Sequence, residues 1–116
     1  MIEITYYPDD YKLAVSGHSG YAEKGKDIVC AGVSSLFYAL AASLDALDKS
    51  AWKTDPEIWF DDGEGTIKVV PAGKFAPNVQ LIFWTILNGL EFIASSYPDH
   101  VKFSVKNFSG GLETEG

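Results

Sequence analysis

Residues 27–47 of the chain read DIVCAGVSSLFYALAASLDAL, and no charged side chain occurs between Ile28 and Leu44. Asp27 has the side chain of a helix N-cap, which predicts a helix from Ile28 to about Leu47. Apolar residues at helical spacing form the stripe expected to face a core: Val29, Val33, Leu36, Phe37, Leu40, Leu44 and Leu47. Small residues predict a second close-packing surface: Ala31, Ser35, Ala39, Ala42 and Ala46. We therefore expect a sheet against one face of this helix and another helix or a subunit against the other.

The flanking sequence predicts five strands and a second helix. The segments rich in β-forming residues are 2–7, 11–16, 57–60, 66–70 and 101–105. Asn78 is predicted to cap the second helix, from Val79 to about Tyr97, with a stripe of Leu81, Ile82, Ile86, Leu90 (or Gly89) and Ile93. The order ββαββαβ predicts a single α+β domain over residues 1–108, with a mostly antiparallel sheet. Residues 109–116 are predicted to be a flexible tail.

Composition narrows the functional classes. The chain has 116 residues, 47% of them apolar, and a single cysteine, which excludes an internal disulfide and a multi-cysteine zinc site. The acidic cluster at residues 61–64 lacks the spacing of a calcium loop, so we expect no metal and no cofactor. A net charge of −7 argues against direct nucleic-acid binding. Uninterrupted apolar runs stay well below the roughly 20 residues of a membrane span, so we expect no membrane segment and a cytoplasmic protein.

The cysteine, Cys30, is predicted to lie in the first turn of the uncharged helix. Free amides and the positive end of the helix dipole favour a thiolate there. His18 is predicted at the tip of the second strand, across a glycine-containing loop, where its imidazole can exchange a proton with the thiol. The pattern therefore predicts a Cys–His nucleophilic site. A free cysteine is also commonly a buried small hydrophobe, so a non-enzymatic binding module stays open, as does another thiol-dependent acyl hydrolase.

Two residues are candidates for supporting this pair. Asp27 is interpreted as the helix cap, with orientation of His18 or binding of a substrate amine as alternatives. Ser34 lies one helical turn after Cys30 and faces the same side. Backbone amides at the start of the helix are predicted to form an oxyanion hole.

The loop of residues 19–26 connects the two candidate catalytic groups. Gly20 and Gly25 permit large backbone changes, and Tyr21 is the aromatic residue of the loop that bridges the pair. All three are candidate residues for contact with substrate. We expect this loop to be mobile and to order on substrate binding. His100, which precedes the last strand, is expected to be a surface residue.

One segment contains, in order, Gly17-His18, a glycine-bearing loop, Asp27-Ile28-Val29-Cys30-Ala31, one more small residue and Val33-Ser34. This segment resembles the ribosomal-processing cysteine protease family of bacteria (Prp). The resemblance implies that His18 and Cys30 are the catalytic pair of a cysteine endopeptidase. It also implies a protein substrate, the N-terminal extension of a large-subunit ribosomal protein, and a homodimer. This sequence has Ser19 and Gly32 where the family pattern is expected to have alanines.

Overall fold

The computed structural model describes residues 1–106, in which a five-stranded sheet is covered on one face by two helices. The elements in chain order are β1 (Ile2–Tyr7), β2 (Lys12–Ser16), α1 (Ile28–Asp45), β3 (Trp52–Asp61), β4 (Glu64–Pro71), α2 (Ala76–Ser96) and β5 (Val101–Val105). The predicted order ββαββαβ and the α+β class are confirmed. The predicted tail at 109–116 lies outside the described residues.

The sheet is mixed, with strand order β3-β4-β2-β1-β5. Three of the pairings are antiparallel, and β5 lies parallel to β1. Ile4 pairs with Val15, and Leu13 pairs with Ile67. Because side chains alternate across a strand, this register puts the apolar residues of the four best-buried strands on one face: Ile2, Ile4, Tyr6, Leu13, Val15, Ile67, Val69 and Val101.

Helix α1 packs on this face and against α2. The stripe prediction is confirmed for Val29, Val33, Phe37, Leu40 and Leu44, which are buried, while Leu36 and Leu47 are partly buried. The helix ends at Asp45, two residues before the predicted end. Glycines bring the helices close: a Cβ at Gly32 would lie 3.2 Å from Ile93. The small-residue surface of α1 stays exposed within this chain.

The start of α2 differs from its prediction. The helix begins at Ala76, so Asn78 is inside it and is not the cap. Pro77 occupies the first turn, where a missing N–H costs nothing and the fixed φ suits a helix. Leu81 is also wrong as a core residue, since it is 65% exposed. The buried residues of α2 are Val79, Phe83, Ile86, Leu87 and Leu90.

The hairpin of β3 and β4 is longer than predicted at both ends. β3 is an edge strand with register shifts between Trp52 and Glu57, and it includes Pro56. Such strands lack a regular two-residue alternation, which explains why only residues 57–60 were recognisable. The extra length lets the hairpin tip reach the loop that follows β2.

Helices α1 and α2 have the length and mean hydropathy of membrane spans. The core helices of a soluble domain meet the same two criteria, and the buried stripes of both helices contact the sheet here.

Candidate active site

Asp27 is the N-cap of α1, as predicted. Its Oδ1 accepts hydrogen bonds from the backbone N–H of Val29 (3.0 Å) and of Cys30 (2.9 Å). Its Oδ2 accepts from the Ser19 hydroxyl and from the N–H of Ala22 at 3.4 Å. Within residues 1–106 no hydrogen bond joins Asp27 to His18, so the structure gives the cap role and not the orienting role to this carboxylate.

These donors determine the protonation behaviour of Asp27. Desolvation raises the pKa of the carboxyl, but hydrogen bonds from the Ser19 hydroxyl and from the amides of Cys30, Ala22 and Val29 outweigh it. The pKa is lowered from 3.8 to about 2. Asp27 is therefore a carboxylate throughout the physiological range, with its charge directed to the helix start and the loop.

The same cap occupies three of the amides that were predicted to form an oxyanion hole. The amides of Val29 and Cys30 donate to Asp27, and the Ala31 N–H donates to the Asp27 carbonyl at 3.0 Å. A donor already held by the chain is not free to stabilise a developing oxyanion.

Ser19 brings the loop to the cysteine. Its backbone N–H donates to Cys30 Sγ at 3.4 Å, and its side chain is only 2% exposed. Cys30 is half-buried at the edge of the core cluster. The residue directly after His18 is thus in contact with the sulfur.

His18 lies against the tip of the β3–β4 hairpin. The Gly17 N–H donates to the Gly63 carbonyl at 2.7 Å, which joins the end of β2 to this tip. A Cβ at Gly63 would lie 2.7 Å from Nε2 of His18. Gly63 also has φ +75°, in the left-handed region that favours glycine. The glycine therefore provides the surface on which the imidazole rests.

His18 and Cys30 line one cavity of about 640 Å³. Asp27 and Ser34 line it too, as do Gly20 and Gly25 of the loop. Its apolar wall comes from both layers of the fold: Ile2, Val15, Val33, Phe37 and Phe60. The cavity therefore places a thiol, an imidazole and an apolar surface within reach of one bound molecule.

Tyr21 and His100 depart from their predicted surroundings. The Tyr21 ring does not line the cavity but packs edge-on against Tyr97 and His100, each with centroids 5.5 Å apart. His100 is half-buried, and its Nδ1 lies 2.8 Å from the carbonyl oxygen of Ser19. Its contact with a loop 81 positions earlier has no local signal in the sequence.

The structure divides the 19–26 loop into two parts. Residues 19–22 are joined to the body of the protein by Ser19, Tyr21 and Ala22, whereas residues 23–26 are exposed and contain the ion pair of Lys26 and Glu23 at 3.1 Å. The predicted ordering of the 19–26 loop on substrate binding stays a prediction. Across residues 1–106, no group of three or more His, Cys, Asp or Glu side chains is arranged to hold a metal ion.

We expect Asp27→Asn to lower the free energy of unfolding at neutral pH by about 1 kcal/mol, because asparagine still caps a helix but lacks the negative charge that the helix start and the donors from Ser19, Cys30, Ala22 and Val29 favour. The folded pKa of about 2 lies below the ordinary 3.8. The unfolded chain therefore binds the proton first, and this stabilisation is lost as the pH falls from about 4 to about 2. Urea unfolding at about pH 7 and about pH 2.5 measures it: the difference between the wild type and the variant should shrink in acid. Asp55→Asn, which removes an exposed carboxylate of β3, is the control. If the wild type and Asp27→Asn differ by the same free energy of unfolding at both pH values, this account is contradicted.

Comparison with known proteins identifies relatives of similar length. A family model described as cysteine protease Prp matches residues 1–102. A Mycoplasma genitalium protein named ribosomal processing cysteine protease Prp is 33% identical over 101 residues, covering 83% of this chain and 89% of that protein. A Staphylococcus aureus protein of the same name is 28% identical over 94 residues, covering 81% and 85%.

Solved structures agree with these relatives. The crystal structure of an essential ribosomal processing protease Prp from S. aureus with a covalently linked product peptide has a TM-score of 0.72 and 27% identity, covering 90% of this chain and 97% of that one. A second structure of that protease, with a substrate peptide, has a TM-score of 0.67 and 27% identity, covering 91% and 100%.

Proposed function

The chain belongs to the Prp family of cysteine proteases, and we propose that it is the endopeptidase that removes the N-terminal extension of a large-subunit ribosomal protein in the cytoplasm. One observation carries the proposal: His18 and Cys30 line the same cavity, with the loop between them in contact with the sulfur. The S. aureus relative was solved with peptides bound, one of them covalently linked, which supports a peptide substrate for this chain as well.

In the proposed mechanism His18 accepts the thiol proton, and the Cys30 thiolate attacks the scissile carbonyl carbon. The C–N bond of the resulting tetrahedral intermediate breaks, and the imidazolium donates its proton to the leaving amine. Water, deprotonated by His18, then attacks the thioester carbon. The C–S bond breaks, the imidazolium returns its proton to the sulfur, and the new carboxyl group is released and ionises. The reaction balances without a metal or an organic cofactor. Ser34 supports the site from the next helical turn.

The loop and the cavity would bind the peptide near the thiol. Gly20 and Gly25 line the cavity, so an extended segment can lie between residues 23–26 and the start of α1. Tyr21 would contribute from outside the cavity, because its ring contacts with Tyr97 and His100 hold the loop in place.

The test is cleavage of the precursor of the ribosomal protein from the same organism. Mass spectrometry should find one cut, at the end of the extension, and the mature protein should stay intact. Failure to cut the precursor, with turnover of small thioesters or esters retained, would overturn the proposal in favour of another thiol-dependent acyl hydrolase. Capture of the precursor without any cleavage would favour a binding module instead.

We also propose that the chain is a homodimer, with the outer faces of the helices as the interface. The small-residue surface of α1 is exposed, and no charge interrupts the segment from Ile28 to Leu44. α2 exposes Leu81, Trp84 and Phe92 at 65%, 61% and 71%. Apolar surface of this extent on two adjacent helices is typical of a protein–protein contact.

A charge on this face is expected to shift the protein toward monomers. Ala39→Glu and Phe92→Glu should do so, because a carboxylate without a partner is costly to bury in an interface. Sedimentation velocity of the full chain measures the effect. Ser50→Glu, at an exposed residue before β3, is the matched control. A wild-type protein that is monomeric at high micromolar concentration would contradict the dimer.

A further inference from the structure

We infer that the backbone N–H of Ser19 stabilises negative charge on the Cys30 sulfur, and that His100 is the positioning residue that holds this amide in place. The inference rests on the proposed role of Cys30 as the nucleophile. It adds two residues, neither of which the local motif identifies.

Ser19 is held at three atoms. Its N–H donates to Cys30 Sγ at 3.4 Å, its hydroxyl donates to the Asp27 carboxylate, and its carbonyl oxygen lies 2.8 Å from Nδ1 of His100. A carbonyl oxygen only accepts, so Nδ1 of His100 carries the hydrogen. With both flanking peptide groups bonded, rotation about the Ser19 backbone is restricted, and the N–H keeps its direction toward the sulfur.

His100 is suited to be the fixed partner, because it lies in the turn between α2 and β5. Its own N–H donates to the Tyr97 carbonyl at 2.9 Å, and its carbonyl accepts from the Ile2 N–H at 2.9 Å. Its ring contacts Tyr21 edge-on. The loop is therefore anchored to the sheet and to α2 through one side chain.

The Ser19 amide is important at this site because neighbouring backbone amides at the start of α1 already donate to Asp27. Asp27 accepts the amides of Val29 and Cys30, which leaves the Ser19 N–H as the backbone donor found at the sulfur within residues 1–106. A hydrogen bond to an ionised acceptor is stronger than one to a neutral acceptor, so the contact favours the thiolate over the thiol.

Two variants of His100 separate its donor from its ring. His100→Asn keeps a donor, because the asparagine amide nitrogen is as far from Cβ as Nδ1 is, but it removes the ring. His100→Phe keeps a ring against Tyr21 and removes the donor. The readout is the rate at which iodoacetamide alkylates Cys30 at about pH 7, which depends on the fraction and orientation of the thiolate.

We expect His100→Phe to slow alkylation by roughly threefold to tenfold, the range that a single hydrogen bond supports. His100→Asn should stay within about twofold of the wild type. With a peptide substrate, His100→Phe should lower kcat and leave KM nearly unchanged, because the amide acts on the sulfur and not on distant substrate contacts.

Wild-type alkylation in His100→Phe would overturn the inference, and so would equal losses in the two variants, which would assign the effect to ring packing. If His100→Phe does not fold, the wild-type protein decides: the Ser19 amide proton should move downfield in NMR spectra as the thiolate forms, and an unmoved resonance overturns the inference. Alkylation needs no peptide. Failure to cleave the ribosomal precursor would therefore count against the proposed function, while the alkylation rates would still test the roles of Ser19 and His100.

Discussion

Cys30→Ala should abolish peptide cleavage, with a loss of roughly 10⁴-fold or more, as expected when a covalent nucleophile is removed. Cys30 is half-buried at the edge of the core, so losing one sulfur atom should cost only about 1 kcal/mol of stability. His18→Ala should be nearly as severe, because no base then takes the thiol proton. Cleavage of the peptide is followed by chromatography, and folding by thermal unfolding.

Cys30→Ser is the matched control for this experiment. Its hydroxyl keeps an acceptor for the Ser19 N–H, yet a serine is a poor nucleophile without a stronger base. It should therefore be as inactive as alanine while retaining more stability. His18→Ala should in addition slow iodoacetamide alkylation of Cys30. Processing of the precursor at the wild-type rate by any of these variants would show that the dyad is assigned wrongly.

The second large effect is expected at Gly63, which no part of the sequence motif includes. In Gly63→Ala a Cβ would meet the His18 imidazole at 2.7 Å. The ring is an exposed side chain, so it can move away at little cost to the fold. We expect kcat/KM to fall by about a hundredfold, since a displacement of about 1 Å in a catalytic group has this effect. Thermal unfolding should show a loss of about 1–2 kcal/mol, from an alanine held in the left-handed conformation.

Gly63→Asn separates the displaced ring from backbone strain, and Gly73→Ala shows the effect of an added Cβ where neither applies. Gly63→Asn places the same Cβ against His18 but tolerates the left-handed conformation, so it should lose activity like alanine. Gly73→Ala places a Cβ in open space and should be nearly neutral. In a His18→Ala background, Gly63→Ala should have no further effect on the residual rate. Additive losses there would mean that Gly63 acts through something other than the histidine.

Local patterns predicted much of this fold. The stripe of α1, its aspartate cap and the alternation in β1, β2 and β5 each reflect contacts within one element, and these agree with the structure. The errors lie where a competing local signal or a tertiary contact overrides the expected pattern. Asn78 has the better capping side chain, but Pro77 suits the first turn and α2 begins three residues earlier than predicted, at Ala76. Leu81 matches the apolar spacing, but α2 turns Val79 and Phe83 to the core instead.

The candidate site divides in the same way. His18, Cys30 and Asp27 were recognisable because a cap, a first helical turn and a strand end are local features, read from spacing along one short segment. Gly63 and His100 were not, because each acts through a contact with residues far away in the chain. Which amide faces the sulfur was likewise undecided, because the Ser19 N–H reaches Cys30 Sγ only once the loop has folded back on the start of α1. Side-chain pattern determines the elements and the reactive residues, whereas the packing of loop, hairpin and final turn determines which groups surround them.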